Sequence, residues 1–170
     1  MNKMKVKAGV LTLSDRASRG EYEDLSGPAI VECLEGRPEF DVAWDRVEIH
    51  PDEEDTISGI LRNWSDEDNL DLILTTGGTG PAPRDRTPEA TRAVLEFEIP
   101  GIPEAMRAAV RDRVPTTALT RGIAGVRGHT LIINLPGSPK AVRESMEVLF
   151  GFLEHLLLKI KGDPSECGGE

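Results

Sequence analysis

Gly77, Gly78, Thr79 and Gly80 follow directly on an apolar run at 70–76, LDLILTT. Glycines straight after a buried strand let successive backbone N–H groups turn toward one anion, which is how main chain cradles a phosphate. The spacing is not that of a Walker loop, because no Gly-Lys-Ser/Thr closes it. Nor is it the dinucleotide fingerprint, because Pro81-Ala82-Pro83 stands where a third glycine is needed. Taken alone, the run also reads as a plain structural turn. Asp85 adds a second part: it lies five residues past Gly80, between Arg84 and Arg86. A carboxylate beside a phosphate cradle makes chemical sense with Mg²⁺ between them, since that ion takes hard oxygen ligands, usually one or two carboxylates plus phosphate oxygens. The competing reading is an exposed pairing of Asp85 with its arginine neighbours. Asp52 carries the same ambiguity, as a cation ligand or as the cap of the helix that follows it.

Other chemistries lack their parts. His50, His129 and His155 show no metal-ligand spacing, no Gly-x-Ser-x-Gly elbow is present, and Cys33 falls in a helical apolar pattern. Trp44 and Trp64 read as packing residues, and aromatics at 4% argue against recognition of single-stranded nucleic acid by stacking. The net charge of −10 repels nucleic acid and anionic membrane unless it is segregated. It is segregated: residues 101–143 carry seven basic side chains against two acidic ones. That island is either a local anion site or a solvated basic face. No run reaches the ~18 apolar residues of a membrane helix, and no signal peptide is evident. Two cysteines, Cys33 and Cys167, make no disulfide framework, so a reducing cytoplasm is expected.

The elements that must position these residues alternate in type. The pattern predicts strands at 4–13, 41–49, 70–76 and 129–135, the second near a sheet edge because one face is wet. Helices are predicted at 27–34, from Asp52 to about Trp64, from Thr87 as cap with Pro88 at the first position, and at 103–113. A last helix carries Val142, Met146, Leu149, Leu153, Leu156 and Ile160 as one stripe and stops at Gly162. The stretch 116–128 has no assignment. Strands alternating with helices imply an α/β chain, doubly wound, with three αβα layers around a mostly parallel sheet. Residues 1–163 are expected to form one domain, with a disordered tail over 164–170. In such sheets ligands bind outside the carboxyl ends of the strands. The exits Ser14-Asp15-Arg16, 77–85 and 136–140 should therefore gather at one end.

Four strings in order, TLSDRAS at 12–18, LILTTGGTGPAPRDRTPEA at 72–90, GIPEAMR at 101–107 and AGVRGHTLIINLPGSPKAVRE at 124–144, resemble the molybdopterin adenylyltransferases of MogA/MoaB type. Gephyrin G domains are eukaryotic relatives of that family. The resemblance runs from Lys5 to Asp163 and includes the ending LKIKGD at 158–163. It implies the same doubly wound domain, with Mg²⁺, ATP and molybdopterin bound, and transfer of AMP to the terminal phosphate of the pterin with release of pyrophosphate. It further implies that Asp52 and Asp85 hold Mg²⁺ and act in catalysis, and that Gly77, Gly78, Thr79 and Gly80 cradle nucleotide phosphates. Ser14, Asp15, Arg16, Thr120, Arg121, Pro136, Gly137 and Ser138 would line a shared nucleotide–pterin cleft. Where many relatives have Leu-Ser-Arg, this chain has Leu119-Thr120-Arg121, which keeps the hydroxyl and adds a methyl group.

A phosphate monoester has a second pKa near ~6, so at neutral pH it is largely a dianion and needs no general base. Alignment and charge stabilisation then carry phosphoryl-type transfer. Arg107, Arg121, Arg127, Lys140 and Arg143 are the candidates to offset the phosphates, with Arg111 and Arg113 left to solvent. The resemblance also implies a homotrimer, possible pairing into a hexamer, and contact with a metal-insertion enzyme. Two other readings stay open: a non-catalytic molybdopterin-binding or assembly module, and a nucleotide pyrophosphohydrolase of the competence-damage type.

Overall fold

A computed structural model describes residues 3–164, so the tail expected after Pro164 lies outside the described residues. The chain begins with β1 (Met4–Leu13), a short α1 (Asp15–Ser18), α2 (Ser26–Glu35), β2 (Phe40–His50), α3 (Glu54–Asp66) and β3 (Leu72–Thr76). It continues through α4 (Thr87–Arg92), β4 (Phe97–Glu98), α5 (Gly101–Val110), a 3₁₀ turn (Pro115–Leu119), β5 (Ala124–Arg127), β6 (Thr130–Leu135), α6 (Pro139–Phe150) and α7 (Leu153–Ile160).

The strands form one six-stranded sheet in the order β2-β1-β3-β6-β5-β4. β2, β1, β3 and β6 run parallel, while β5 pairs antiparallel with both β6 and β4. All residues of β3 and β6 are buried, as parallel strands covered on both faces must be. One face carries α2, α5, α6 and α7 over Val10, Leu72, Leu74 and Ile133. The other carries α3 and α4 over Leu11, Leu13, Ile73 and Ile132. Each fully buried Leu or Ile contributes about 1.5–3 kcal/mol relative to exposure, so two such clusters hold three layers together. Trp64 lies flat on β1, where a Cβ at Gly9 would stand 2.9 Å from its ring. No helix among the described residues is long and apolar enough to cross a membrane.

The parallel half and the edge position of β2 follow the sequence pattern. Several local details differ. The last helix is two: α6 ends at Phe150 and α7 starts at Leu153, because the chain breaks at Gly151-Phe152 while its apolar stripe stays on the core. The unassigned stretch holds β5, a hairpin partner for β6 joined through Gly128 at φ +57°. β4 was invisible because two residues carry no period. Asp52 is not a helix cap: α3 starts at Glu54, with Glu53 as its flanking residue and no side-chain cap. Thr87 lies inside α4 rather than capping it, since its hydroxyl donates to the Gly77 carbonyl at 2.9 Å.

Candidate active site

The sheet order reverses direction between β1 and β3, because the chain steps out to β2 and then returns to the other side of β1. Such a switch point leaves a crevice at the carboxyl ends of the two strands. The glycine loop fills it. The Gly77 N–H donates to the Leu135 carbonyl at 3.3 Å, and a Cβ at Gly77 would lie 2.3 Å from the Leu13 carbonyl oxygen. Gly78 stands at φ +64°, and its Cβ would lie 2.3 Å from Thr87 Oγ1 and 2.8 Å from Asp52 Oδ1. Both positions therefore require glycine on conformation and on space. A Cβ at Gly80 would lie 2.8 Å from Asp85 Oδ2. Asp52 and Asp85, 33 residues apart in sequence, thus flank the same four-residue loop.

Three strand exits are tied together here. The Asp52 N–H donates to Asp15 Oδ1 at 3.0 Å, and the Asp15 N–H donates to Asp52 Oδ2 at 3.1 Å. Arg84, from the glycine-loop side, donates to both Asp15 oxygens at 3.0 and 2.9 Å and to Glu53 at 2.8 Å. The Arg84 guanidinium holds the Asp15 carboxyl below its ordinary value. Asp52 goes the other way. Burial pushes its carboxyl up, the Asp15 N–H pulls it part-way back, and the Asp15 and Asp85 carboxylates push it further.

Asp52 Oδ1 is buried and has no hydrogen-bond partner. A buried anionic oxygen without a donor costs free energy unless a positive group reaches it. That atom, with Asp85 on the same loop, fits a hard divalent cation such as Mg²⁺. Among the described residues no group of three or more His, Cys, Asp or Glu stands in a metal-ligating arrangement. A cation here would rest on the two carboxylates, with water or ligand oxygens completing its shell.

Beyond Thr79 and Gly80 the crevice opens into a cavity of about 260 Å³ between α5, the 3₁₀ turn and the start of α6. Met106, Val110, Val114 and Leu119 give it apolar walls, and Thr120, Asn134 and Ser145 supply polar atoms. Asn134 is buried: its amide donates to Thr75 and Thr91 hydroxyls at 3.0 and 2.9 Å and its oxygen accepts from the Ile123 N–H at 3.2 Å. A cavity with apolar walls and polar atoms at its edge suits a small heterocyclic ligand.

The other residues expected at the site fall into place around it. Ser14 caps α1 by accepting from the Ala17 N–H at 3.1 Å, and Ser138 caps α6 by accepting from Ala141 at 3.2 Å. A Cβ at Gly137 would lie 3.4 Å from Gly77 Cα, and the Pro136 carbonyl accepts from Thr76 at 2.7 Å. Arg16 stacks over the Tyr22 ring at 5.3 Å. The Arg121 nitrogens donate to the Gly80 and Asp85 carbonyls and to Glu89. The basic island divides. Arg127 pairs with Asp66 at the opposite end of the sheet and Arg143 pairs with Glu32 on α2, so neither meets the crevice. Arg107 lines the cavity. Arg113 is exposed as expected and makes a surface pair with Glu144 at 3.0 Å. Sequence reasoning missed Asn134, whose signal was a lone amide inside the apolar strand HTLIINL, and Glu89, which gave none.

The arrangement defines a class: an α/β ligand-binding domain with a backbone anion cradle and paired carboxylates at its switch point. The family described as "Probable molybdopterin binding domain" matches residues 9–155. The chain is 47% identical over 162 residues to the molybdopterin adenylyltransferase of Helicobacter pylori strain J99, covering 93% of this chain and 89% of that protein. It is 42% identical over 149 residues to the molybdopterin adenylyltransferase of Escherichia coli K12, covering 86% of this chain and 74% of that protein. The crystal structure of the molybdopterin biosynthesis enzyme MoaB from Thermus thermophilus superposes with a TM-score of 0.86 at 50% identity, over 95% of this chain and 99% of that one. The chain therefore belongs to the molybdopterin-binding domain family of MogA/MoaB type.

Proposed function

We propose that this protein is a molybdopterin adenylyltransferase that moves the AMP group of ATP onto the terminal phosphate of molybdopterin and releases pyrophosphate. The observation that carries the reading is the buried, unpartnered Asp52 Oδ1 beside Gly78, with Asp85 on the same loop. A terminal phosphate oxygen of the pterin forms the new bond to the α-phosphorus of ATP. The bond from that phosphorus to the bridging oxygen breaks, and its electrons leave with pyrophosphate. The attacking phosphate is largely dianionic near neutral pH, because its second pKa is ~6, so no residue has to remove a proton.

This chain contributes alignment and charge. The N–H groups of 78–80 make no backbone hydrogen bond among the described residues and would be left for the phosphates, while that of Gly77 is engaged by the Leu135 carbonyl. The cavity beyond Gly80 would receive the pterin and align its terminal phosphate with the glycine loop. Asp52 and Asp85 would hold Mg²⁺, which when bound neutralises charge on the phosphate oxygens. Arg84 keeps Asp15 and Glu53 occupied, so the acidic cluster does not repel the triphosphate with its full charge. Arg107 is a cation on the cavity wall, available to an anionic group there. Self-association belongs to the same proposal: Val47 and Ile49 stand 55% and 42% exposed on the free edge strand β2, an apolar strip that a second copy would cover.

Purified protein incubated with Mg-ATP, with and without molybdopterin, tests the reading. Pyrophosphate and adenylylated pterin should form only when the pterin is present. Tight pterin binding without product would make the protein a binding module, and pyrophosphate without pterin would make it a pyrophosphohydrolase. Asp85→Asn should abolish turnover and leave pterin binding intact, since it removes a charge and no volume.

A further inference from the structure

Arg121 follows the 3₁₀ turn and crosses under the glycine loop. Its N–H donates to the Thr79 carbonyl at 2.8 Å. Its guanidinium donates from Nε to the Gly80 carbonyl at 2.9 Å, from Nη2 to the Asp85 carbonyl at 2.6 Å, and from Nη1 to Glu89 Oε1. All three side-chain nitrogens are engaged by protein acceptors, so most of the five guanidinium N–H donors are already committed to the loop and to Glu89. Between its two carbonyl contacts the chain closes on itself as a small turn. The Asp85 N–H donates to the Ala82 carbonyl, and the Ala82 N–H donates to Asp85 Oδ2, each at 3.0 Å. Pro81, Ala82 and Pro83 are exposed, and Arg84 ties the turn to Asp15 and Glu53. Arg84 holds the middle of that turn, and its two ends, Gly80 and Asp85, are the residues whose carbonyls Arg121 grips. Glu89 sits on α4 one turn past Asp85 and is fixed by the helix. The grip is therefore referred to rigid structure.

We infer that Arg121, held by Glu89, is a positioning residue that sets where the Asp85 carboxylate stands relative to Asp52. The inference rests on the adenylyltransferase reading for the reaction that Asp85 serves, but not for the clamp itself. A planar guanidinium fork meets two carbonyls and one carboxylate together, whereas a lysine ammonium reaches them as a single point. Misplacement of a catalytic group by about 1 Å costs on the order of 10²-fold in rate. Loosening this clamp acts through Asp85 and so lowers kcat, not substrate affinity.

The test compares wild type with Arg121→Gln, Arg121→Lys and Glu89→Gln in two measurements. One is pterin-dependent pyrophosphate release, resolved into kcat and KM for ATP and for molybdopterin. The other is Mn²⁺ affinity in the absence of substrates, read from the paramagnetic resonance of free Mn²⁺. Arg121→Gln should lower kcat on the order of 10²-fold with both KM values within about threefold, and should weaken Mn²⁺ binding about tenfold. Glu89→Gln should move both readouts the same way by less. Arg121→Lys, which keeps one charged donor, carries the test if the glutamine variant does not fold. A rise in KM for ATP with Mn²⁺ affinity unchanged would overturn the inference, because it marks a direct phosphate ligand. Unchanged kcat and Mn²⁺ affinity would overturn it as well. If wild type itself gives no pterin-dependent product, the activity reading fails, and the Mn²⁺ arm still decides the clamp.

Discussion

Asp52→Asn should make the protein more stable when no divalent cation is present and should remove its thermal response to Mg²⁺. Asp52 Oδ2 accepts the Asp15 N–H, a bond that an asparagine oxygen can also accept. Oδ1 is buried and unpartnered, and an amide in its place removes the charge and leaves the volume. An unsatisfied buried polar atom costs about 1–3 kcal/mol, more when charged, and the amide still lacks a partner, so the recovered part is about 1 kcal/mol. For a chain of 170 residues that raises Tm by about 2–4 °C. Mg²⁺ at ten times its dissociation constant should stabilise wild type by about 1.4 kcal/mol, and the variant by much less.

The pH dependence has a definite sign. Asp52 has a native pKa raised above the ordinary 3.8, so its ionisation costs stability in the folded state. The deficit of wild type relative to the variant is absent below that ordinary value. It opens as pH rises through it toward the native value, and it stays constant above. Scanning calorimetry of both proteins, with and without Mg²⁺, at pH 7 and near pH 4, gives all these quantities. A lower Tm for Asp52→Asn without cation, or equal Mg²⁺ shifts in the two proteins, would refute the reasoning.

Gly78→Ala forces a side chain into φ +64° and against Thr87 and Asp52, so it should cost about 1–3 kcal/mol in urea denaturation and abolish turnover. Asn134→Leu strands two threonine hydroxyls and the Ile123 N–H, and should cost about 2–4 kcal/mol by the same measurement. Arg84→Met releases Asp15 and Glu53, both partly open to solvent, and should lower the urea midpoint only slightly at pH 7. Because Arg84 holds the native Asp15 carboxyl below 3.8, the stability it supplies is complete above that pH. Its difference from wild type should therefore shrink as pH falls through the lower native value.

The parallel half of the sheet was legible because its strands are long apolar runs with turn residues at their ends, and because such strands must be covered on both faces. β4 and β5 were not, since two and four residues show no period, and β5 is placed by β6 and β4 by β5. The break at Gly151 escaped because the stripe of Val142, Met146, Leu149 and Leu153 stays on one core face across it. At the site, the glycines at 77 and 78 were legible from residue type, whereas the aspartates at 52 and 85 read equally as a cap and an ion pair and were singled out only by the family resemblance. The arginines were not assignable in the same way. Arg121, Arg127 and Arg143 look alike in sequence, and only the carboxylate or carbonyl that each meets in space, Glu89, Asp66 or Glu32, separates a loop clamp from surface pairs. Asp52 was readable as a cap because acidic residues follow it; the backbone places it one residue too early and turns it toward Asp15 instead.

The central claim is that Asp52 and Asp85 share one divalent cation beside the glycine loop. Anomalous diffraction from crystals grown with Mn²⁺ and a non-hydrolysable ATP analogue tests it most directly. The account predicts one strong peak bridging an Asp52 oxygen, an Asp85 oxygen and phosphate oxygens of the analogue. A peak that touches neither carboxylate, or an analogue seated away from residues 77–80, would contradict it.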